Sequence, residues 1–414
     1  MESSALKQLW VLMATVFVDM IGALMVMSTL AYNARDLGAR PLVVTLIISS
    51  FFFAQFVTAP LWGRFSDRYG RRPALIVGLA SSAVAFALFG LANTVWLLFL
   101  FRLVQGAGGG TTGVVQAYVS DTVPPQDRAK ALGWISAATN AGVMIGGAVG
   151  SLASKHLGHW GPGFVAAALC TLNVVSAWFW LPESSRQDAQ PGDVSAPKRR
   201  PLWESMLSVL EHPRSPASSL IWIYTIGMLA FMAMNGVLAL YLGKAYGTNG
   251  DTFGYFLTYI GAVGLIMRAV LLGPLLRVFG EIGVTRLGAM SLVLGLAGIP
   301  LPAMLNLSHE VRFGLLAVIA LLVPVGTALL FPATTARLSH CTSREEMGQT
   351  MGVQQSFGSV ARMVGPAFAG RIYEIDARYP FWAAAALMLC ASFLTTRQRG
   401  PAVEKKIPVD APAA

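Results

Sequence analysis

Apolar runs long enough to cross a lipid bilayer recur along this chain, and no other feature constrains its fold as strongly. A helix rising 1.5 Å per residue needs about 20 apolar residues to cross the hydrocarbon layer. Twelve segments meet that need, roughly over 8–32, 42–62, 73–92, 95–119, 130–154, 162–181, 216–243, 252–276, 284–305, 312–336, 349–372 and 380–396 of the 414 residues. Composition agrees: 55% hydrophobic and 12% charged residues with a mean hydropathy of +0.60 fall outside the soluble globular range, where about 25% charge is usual. The expectation is an all-α membrane protein of twelve transmembrane helices. The formal charge of +10 suggests nucleic acid as a partner, but no soluble basic domain is present to bind it. The first apolar run leads into further spans, so it does not read as a cleavable signal peptide.

Residues 182–215 separate the first six segments from the last six. Pro182, Pro191, Pro197 and Pro201, several acids and the run Lys198-Arg199-Arg200 mark a solvated linker. Within it Leu202, Trp203, Met206, Leu207 and Leu210 fall at helical spacing, which predicts a short amphipathic helix along the membrane face. The expected organisation is a six-helix bundle over 1–181, the linker, a second bundle over 216–398 and a tail over 399–414. With these boundaries the even-numbered connectors and both termini hold 20 of the 30 Lys and Arg, against seven in the odd-numbered connectors. Positive charge gathers on the cytoplasmic side. Both termini and the linker are therefore expected in the cytoplasm, in a multi-pass protein of the cell membrane.

The halves resemble each other. Gly273 to Gly280 follows the eighth segment as Gly63 to Gly70 follows the second, 210 residues earlier; Gly146, Gly147 and Gly150 are echoed by Gly365, Pro366 and Gly370, at an offset of 219. Such repeats predict two pseudo-symmetric bundles. The small residues at 146, 150, 365, 366 and 370 are expected at helix contacts, as are Gly106 and Gly110, whose spacing permits close helix approach.

The connector Gly63-Arg-Phe-Ser-Asp67-Arg-Tyr-Gly70-Arg71-Arg72-Pro73 carries five charges in eleven residues, in a chain only 12% charged. A charge in hydrocarbon costs at least ~2.5–3.5 kcal/mol, so this loop lies in water or headgroups. On charge alone it reads as a positive cytoplasmic loop. Its pattern, Gly-x-x-x-Asp-Arg-x-Gly-Arg-Arg, resembles the signature loop of the major facilitator superfamily. Leu100-Phe-Arg102-Leu-Val-Gln105-Gly106 resembles that family's fourth-span motif, and Ala117-Tyr118-Val-Ser-Asp121 with Arg128 resembles its cytoplasmic end. The resemblance implies a transporter that works by alternating access and normally as a monomer, without a cofactor. It also implies a cytoplasmic gate built from Gly63, Asp67, Gly70, Arg71, Arg72, Asp121 and Arg128, and a proton-coupling role for Arg102.

Charges inside apolar spans are functional candidates, and four stand out: Asp19, Arg102, Arg268 and Arg362. Asp19 falls ~16 Å into its span and Arg102 ~10 Å from the other face, a depth difference of only ~4 Å. An Asp19–Arg102 pair is thus feasible, either as a static tie or as a proton carrier whose pKa the arginine tunes. Arg268 and Arg362 have no acidic counterpart in the spans of the second half, and an anionic group, a carbonyl end or Asp19 could partner them. Other polar residues expected to line a cavity include Gln55, Asn140, Asn235, Tyr255, Gln354 and Gln355.

Asp19-Met-Ile-Gly22 and Arg35-Asp36-Leu37 keep the register of the twelve-span drug:proton antiporters, most closely the tetracycline-efflux group. Where that group has prolines this chain has Ser28 and Ala31. In the fifth-span motif Gly147 replaces a proline and Ser151 the last glycine, which counts against antiport. The leading expectation is a proton-coupled exporter of amphipathic small molecules; the alternative is a uniporter or symporter of a sugar or organic anion. A membrane enzyme is disfavoured by the lack of nucleophile-elbow, zinc-helix and phosphate-loop motifs, and a non-transporting receptor by the intramembrane charges. Cys170, Cys341 and Cys390 are too scattered for a metal or redox motif. His156 and His159 lack a third ligand, so no metal is expected.

Overall fold

In the computed structural model the described residues are 3–124, 127–183, 202–213, 215–342 and 346–397, and they form helices with no strand among them. The first half contains α1 (Ser3–Asp36), α2 (Pro41–Tyr69), α3 (Arg71–Gly90), α4 (Val95–Gly108), α5 (Thr111–Thr122), α6 (Arg128–Leu157) and α7 (Gly161–Trp180). After α8 (Leu202–Glu211) come α9 (Pro216–Tyr246), α10 (Gly250–Ile266), α11 (Leu272–Gly298), α12 (His309–Ala320), α13 (Leu322–His340), α14 (Met347–Tyr373) and α15 (Tyr379–Arg397). Each expected apolar segment coincides with helix. Among the described residues seven helical stretches qualify by length and composition to cross a membrane, and two of them, Lys130–Trp180 and Gly250–Met304, run to 51 and 55 residues because each doubles back.

Local chemistry explains many of the boundaries. Thr94, Ser215 and Asn249 each accept a hydrogen bond from a backbone N–H three residues on, capping α4, α9 and α10. Gly109 and Gly110 divide the fourth segment into α4 and α5. The turn between α2 and α3 passes through Gly70 at φ 101°, ψ 161°, and α11 reverses at Gly280 with φ 64°, ψ 174°. This corner of backbone space is essentially open to glycine alone. The sequence repeat is thus a conformational repeat: two glycines 210 positions apart make the same kind of turn.

Packing repeats as well. A Cβ at Gly146 would meet Leu24 Cβ at 2.7 Å, and one at Gly150 would meet Ser28 Oγ at 2.7 Å, so α6 lies directly on α1. A Cβ at Gly365 would meet the Leu229 carbonyl at 3.0 Å, and Pro366 occupies the space beside Gly236, so α14 lies in the same way on α9. Gly106 and Gly110 face the Phe51 carbonyl and the Trp62 ring with no room for a methyl group, which fixes α4 and α5 on α2. The predicted linker helix is present as α8. Val209 buries against the Leu220–Ile221 and Val353–Phe357 patches of α9 and α14, while Trp203, Leu207 and Leu210 stay exposed. Residues 184–201 and the expected tail lie outside the described residues.

Candidate functional site

The two halves meet at one face and part at the other. The linker face is the one bearing Gly70, Gly280 and α8. At the opposite face α6 of the first half packs on α10 of the second. A Cβ at Gly147 would meet the Gly254 carbonyl at 2.6 Å, and one at Gly254 would collide with Ser151. Ser151 Oγ donates across this seam to the Asp251 carbonyl at 2.7 Å. Tyr32 makes a second tie, donating to the Ala239 carbonyl at 3.2 Å and bonding Thr248 Oγ1 at 3.0 Å. Gly370 of α14 meets Thr45 of α2 in a third. The two departures in the fifth segment therefore have a physical reason: a proline ring at 147 would not fit here, and the serine hydroxyl adds a hydrogen bond.

From the Thr45–Gly370 contact α2 and α14 diverge toward the linker face and enclose a cavity of about 520 Å³. Gln55, Trp62, Gly63, Gln355, Ser359 and Arg362 line it together with Phe52 and Phe56. Gln55 Nε2 donates to the Gly109 carbonyl at 2.9 Å and Trp62 Nε1 to that of Ala107 at 2.6 Å. Of the expected cavity residues, Gln55, Gln355 and Arg362 are brought together here. Arg268 instead lies in a π-helical turn (Met267–Leu271) and donates to Asn140 of α6 along the other seam. Asn235 donates to the Phe231 carbonyl of its own helix. Gln354 is fully buried and accepts from Thr335, and Tyr255 is exposed outside the cavity lining.

Asp19 and Arg102 do not pair. Asp19 is half-buried in mid-α1 and has no hydrogen-bond or ion-pair partner among the described residues. Arg102 is buried, donates to Gln105 Oε1 at 2.6 Å and to Met27 Sδ at 3.8 Å, and lies over the Phe51 ring at 4.7 Å. Met27 is eight residues beyond Asp19, about 12 Å along the helix. Matching depths in a bilayer fix neither rotation about the helix axis nor the closer partners that Arg102 finds. Its Nε remains unbonded.

Of the expected gate residues, Asp67, Arg71 and Asp121 form a cluster within the first half. Arg71 Nη1 donates to Asp67 Oδ1 at 2.6 Å and to Ser66 Oγ at 3.0 Å, while its Nε donates to Asp121 Oδ2 at 2.8 Å. Asp121 is thus a partner of the basic loop, as the resemblance implied. Arg128 donates elsewhere, to the Val123 carbonyl at 3.0 Å. Nothing stands within 4 Å of a Cβ built on Gly63, which lines the cavity.

Sequence reasoning missed Glu183. Its Oε1 accepts from the backbone N–H groups of Arg71 and Arg72 at 2.7 and 3.3 Å, serving as an acidic cap on α3. An acid directly after the sixth span, within reach of the connector that carries Arg71 and Arg72, was the available signal. It also missed Glu281 and His340, 3.2 Å apart beside the second glycine turn, and the buried Arg337.

A family model described as Major Facilitator Superfamily matches residues 12–319 and 303–413. The chain belongs to the major facilitator superfamily. It is therefore a membrane-spanning transporter of small molecules and not an enzyme. Within the superfamily it is 28% identical to multidrug resistance protein 1 of Bacillus subtilis (strain 168), over 95% of this chain and 97% of that one. It is 26% identical to the class C tetracycline resistance protein of Escherichia coli, over 89% and 90%. Among solved structures, an inward-facing, unoccupied bacterial homologue of the human lysosomal transporter Spinster shares the fold with a TM-score of 0.77 at 16% identity, over 95% and 97% of the chains.

Proposed function

We propose that this transporter is a proton-coupled exporter of amphipathic small molecules, working as a monomer by rocking of residues 1–181 against 216–398. The observation that carries the reading is Asp19, a half-buried carboxylate in the middle of a membrane helix with no partner among the described residues. Intramembrane carboxylates mark proton and substrate pathways, and one that no ion pair holds is available to take up and release a proton. The lysine and arginine bias supports a cytoplasmic side for the linker face and both termini. On that reading the cavity would open to the cytoplasm and the Ser151, Tyr32 and Gly370 ties would seal the outer face. The Asp67–Arg71–Asp121 cluster would latch onto the second half when the cytoplasmic face closes. The relatives whose names denote multidrug and tetracycline resistance support export.

The test is proton movement in proteoliposomes loaded with a pH-sensitive dye and challenged with cationic, neutral and anionic amphiphiles. Substrate-evoked proton flow that vanishes in Asp19→Asn, with protein insertion unchanged, is the expected result. Substrate counterflow without proton movement, untouched by the substitution, would make the protein a facilitator.

A further inference from the structure

The cavity between α2 and α14 has a chemical bias that narrows the substrate class of the proposed transporter. Arg362 is the one charged residue among its described lining. It has no hydrogen-bond or ion-pair partner among the described residues. Gln355, Ser359 and Arg362 stand at i, i+4 and i+7 of α14, on one helical stripe facing the lumen. The Trp62 indole and the Gln55 amide already donate to backbone carbonyls, and the Ser359 hydroxyl donates to the carbonyl of Gln355. The uncommitted donors of the described lining are thus the guanidinium of Arg362 and the side-chain amide of Gln355.

A cation without a counter-ion in such a place is costly to desolvate and gains most when an anion arrives. The planar guanidinium fork matches a carboxylate or sulfonate with two parallel hydrogen bonds. Phe52, Phe56 and the Trp62 ring supply an apolar wall, and 520 Å³ is the size of a drug-scale ligand pocket. Arg268 does not compete for this role, because Asn140 holds it on the other seam.

We infer that the cavity takes amphiphiles with an anionic head, carboxylate or sulfonate, seated on Arg362, and an aromatic or apolar body against Phe56 and Trp62. The substrate class so named rests on the transport reading, but binding at Arg362 can be measured without it.

The experiment uses the full chain in phosphatidylcholine nanodiscs, with binding of radiolabelled 2-naphthoate competed by unlabelled 2-naphthoate, 2-naphthamide or 2-naphthylmethylammonium. These share one apolar body and differ in head charge. In the unmodified protein naphthoate should compete at least about ten-fold better than the amide or the ammonium. Arg362→Gln should abolish that preference, Arg362→Lys should keep most of it, and Arg268→Gln should leave it unchanged. Arg362→Glu should turn the preference over to the ammonium probe, read with that probe labelled. Equal competition by all three heads in the unmodified protein, no saturable naphthoate binding, or a preference that persists in Arg362→Gln would each overturn the inference. Proteoliposome flux separates the two readings. Asp19-dependent flux that ignores head charge leaves export standing and removes the anion site. Saturable naphthoate binding without flux of any probe keeps the site and removes export.

Discussion

The turns at Gly70 and Gly280 have the same backbone and opposite side-chain chemistry. Each places a glycine in the same restricted conformation, 210 residues apart. After Gly70 stands Arg71, which reaches Asp121 in the last turn of α5; after Gly280 stands Glu281, which reaches His340 in the last turn of α13. The position that holds the cation in the first half holds the acid in the second. The first turn is also crowded, with Glu183 pressed against Gly70, whereas nothing lies within 4 Å of a Cβ on Gly280. The duplicated fold has kept its backbone requirement, which any copy must satisfy to reverse the chain. The charges beside the two turns differ, a cation after the first glycine and an acid after the second.

The comparison predicts the largest difference for the glycines themselves. Gly70→Ala and Gly280→Ala should both lose about 1–3 kcal/mol of stability to backbone strain, but Gly70→Ala must also displace the Glu183 carboxylate. Thermal unfolding in detergent should show the first variant clearly less stable; equal losses would mean that the crowding at Gly70 has no energetic weight. Next comes Glu183→Gln, which removes a charged cap from two N–H groups of α3 and should cost about 0.5–2 kcal/mol. Among the described residues the Glu281 carboxylate accepts from no backbone N–H, so a matching loss at Glu281→Gln would break the asymmetry.

A smaller stability effect, but a sharper functional one, is expected at the ion pairs. Arg71 is largely covered, with its side chain 15% exposed, and its removal leaves both Asp67 and Asp121 without their cation. Arg71→Gln should therefore slow substrate flux far more than Glu281→Gln, since His340 is 67% exposed and well hydrated. The smallest effect belongs to a pair remote from both turns, which serves as the reference. Asp376 accepts from the Arg378 side chain and backbone, and these bonds hold its carboxyl at about 2. A carboxyl lowered on folding stabilises fully above its unfolded value of about 3.9, and the benefit is lost as pH falls toward 2. Asp376→Asn should be slightly less stable than the parent at pH 7 and equal to it near pH 2; a gap that widens in acid would contradict this.

Much of the fold was legible because hydrocarbon leaves a chain little choice: each long apolar run is helical, and the Gly63–Gly70 spacing announced its twin at Gly273–Gly280. The charged loop was legible too, with Arg71 on Asp67 and Asp121. Rotation about helix axes was not. It decides that Arg102 turns to Gln105 and Met27 rather than to Asp19, and that Gln354 is buried while Gln355 faces the cavity. Nor does a motif-centred reading weigh residues outside the motif, and so Glu183 and the Glu281–His340 pair went unseen. The meaning of Gly147 and Ser151 emerged only when the seam with α10 placed Gly254 and Asp251 against them.

The central claim is that the two halves rock about a substrate cavity, so that the face sealed here opens when the other closes. Paired spin labels test it directly: one pair at the linker face, on Arg68 and Arg277, and one at the opposite face, on His156 and Asn306. Cys341 and Cys390 would be replaced by serine. Distances would be measured with and without a transported substrate, in protein with Asp19 intact and in Asp19→Asn. The account predicts opposed changes, the linker-face distance shortening as the opposite-face distance lengthens, with Asp19→Asn shifting the balance between the two states. Distances that stay fixed under every condition, or that lengthen together, would contradict it.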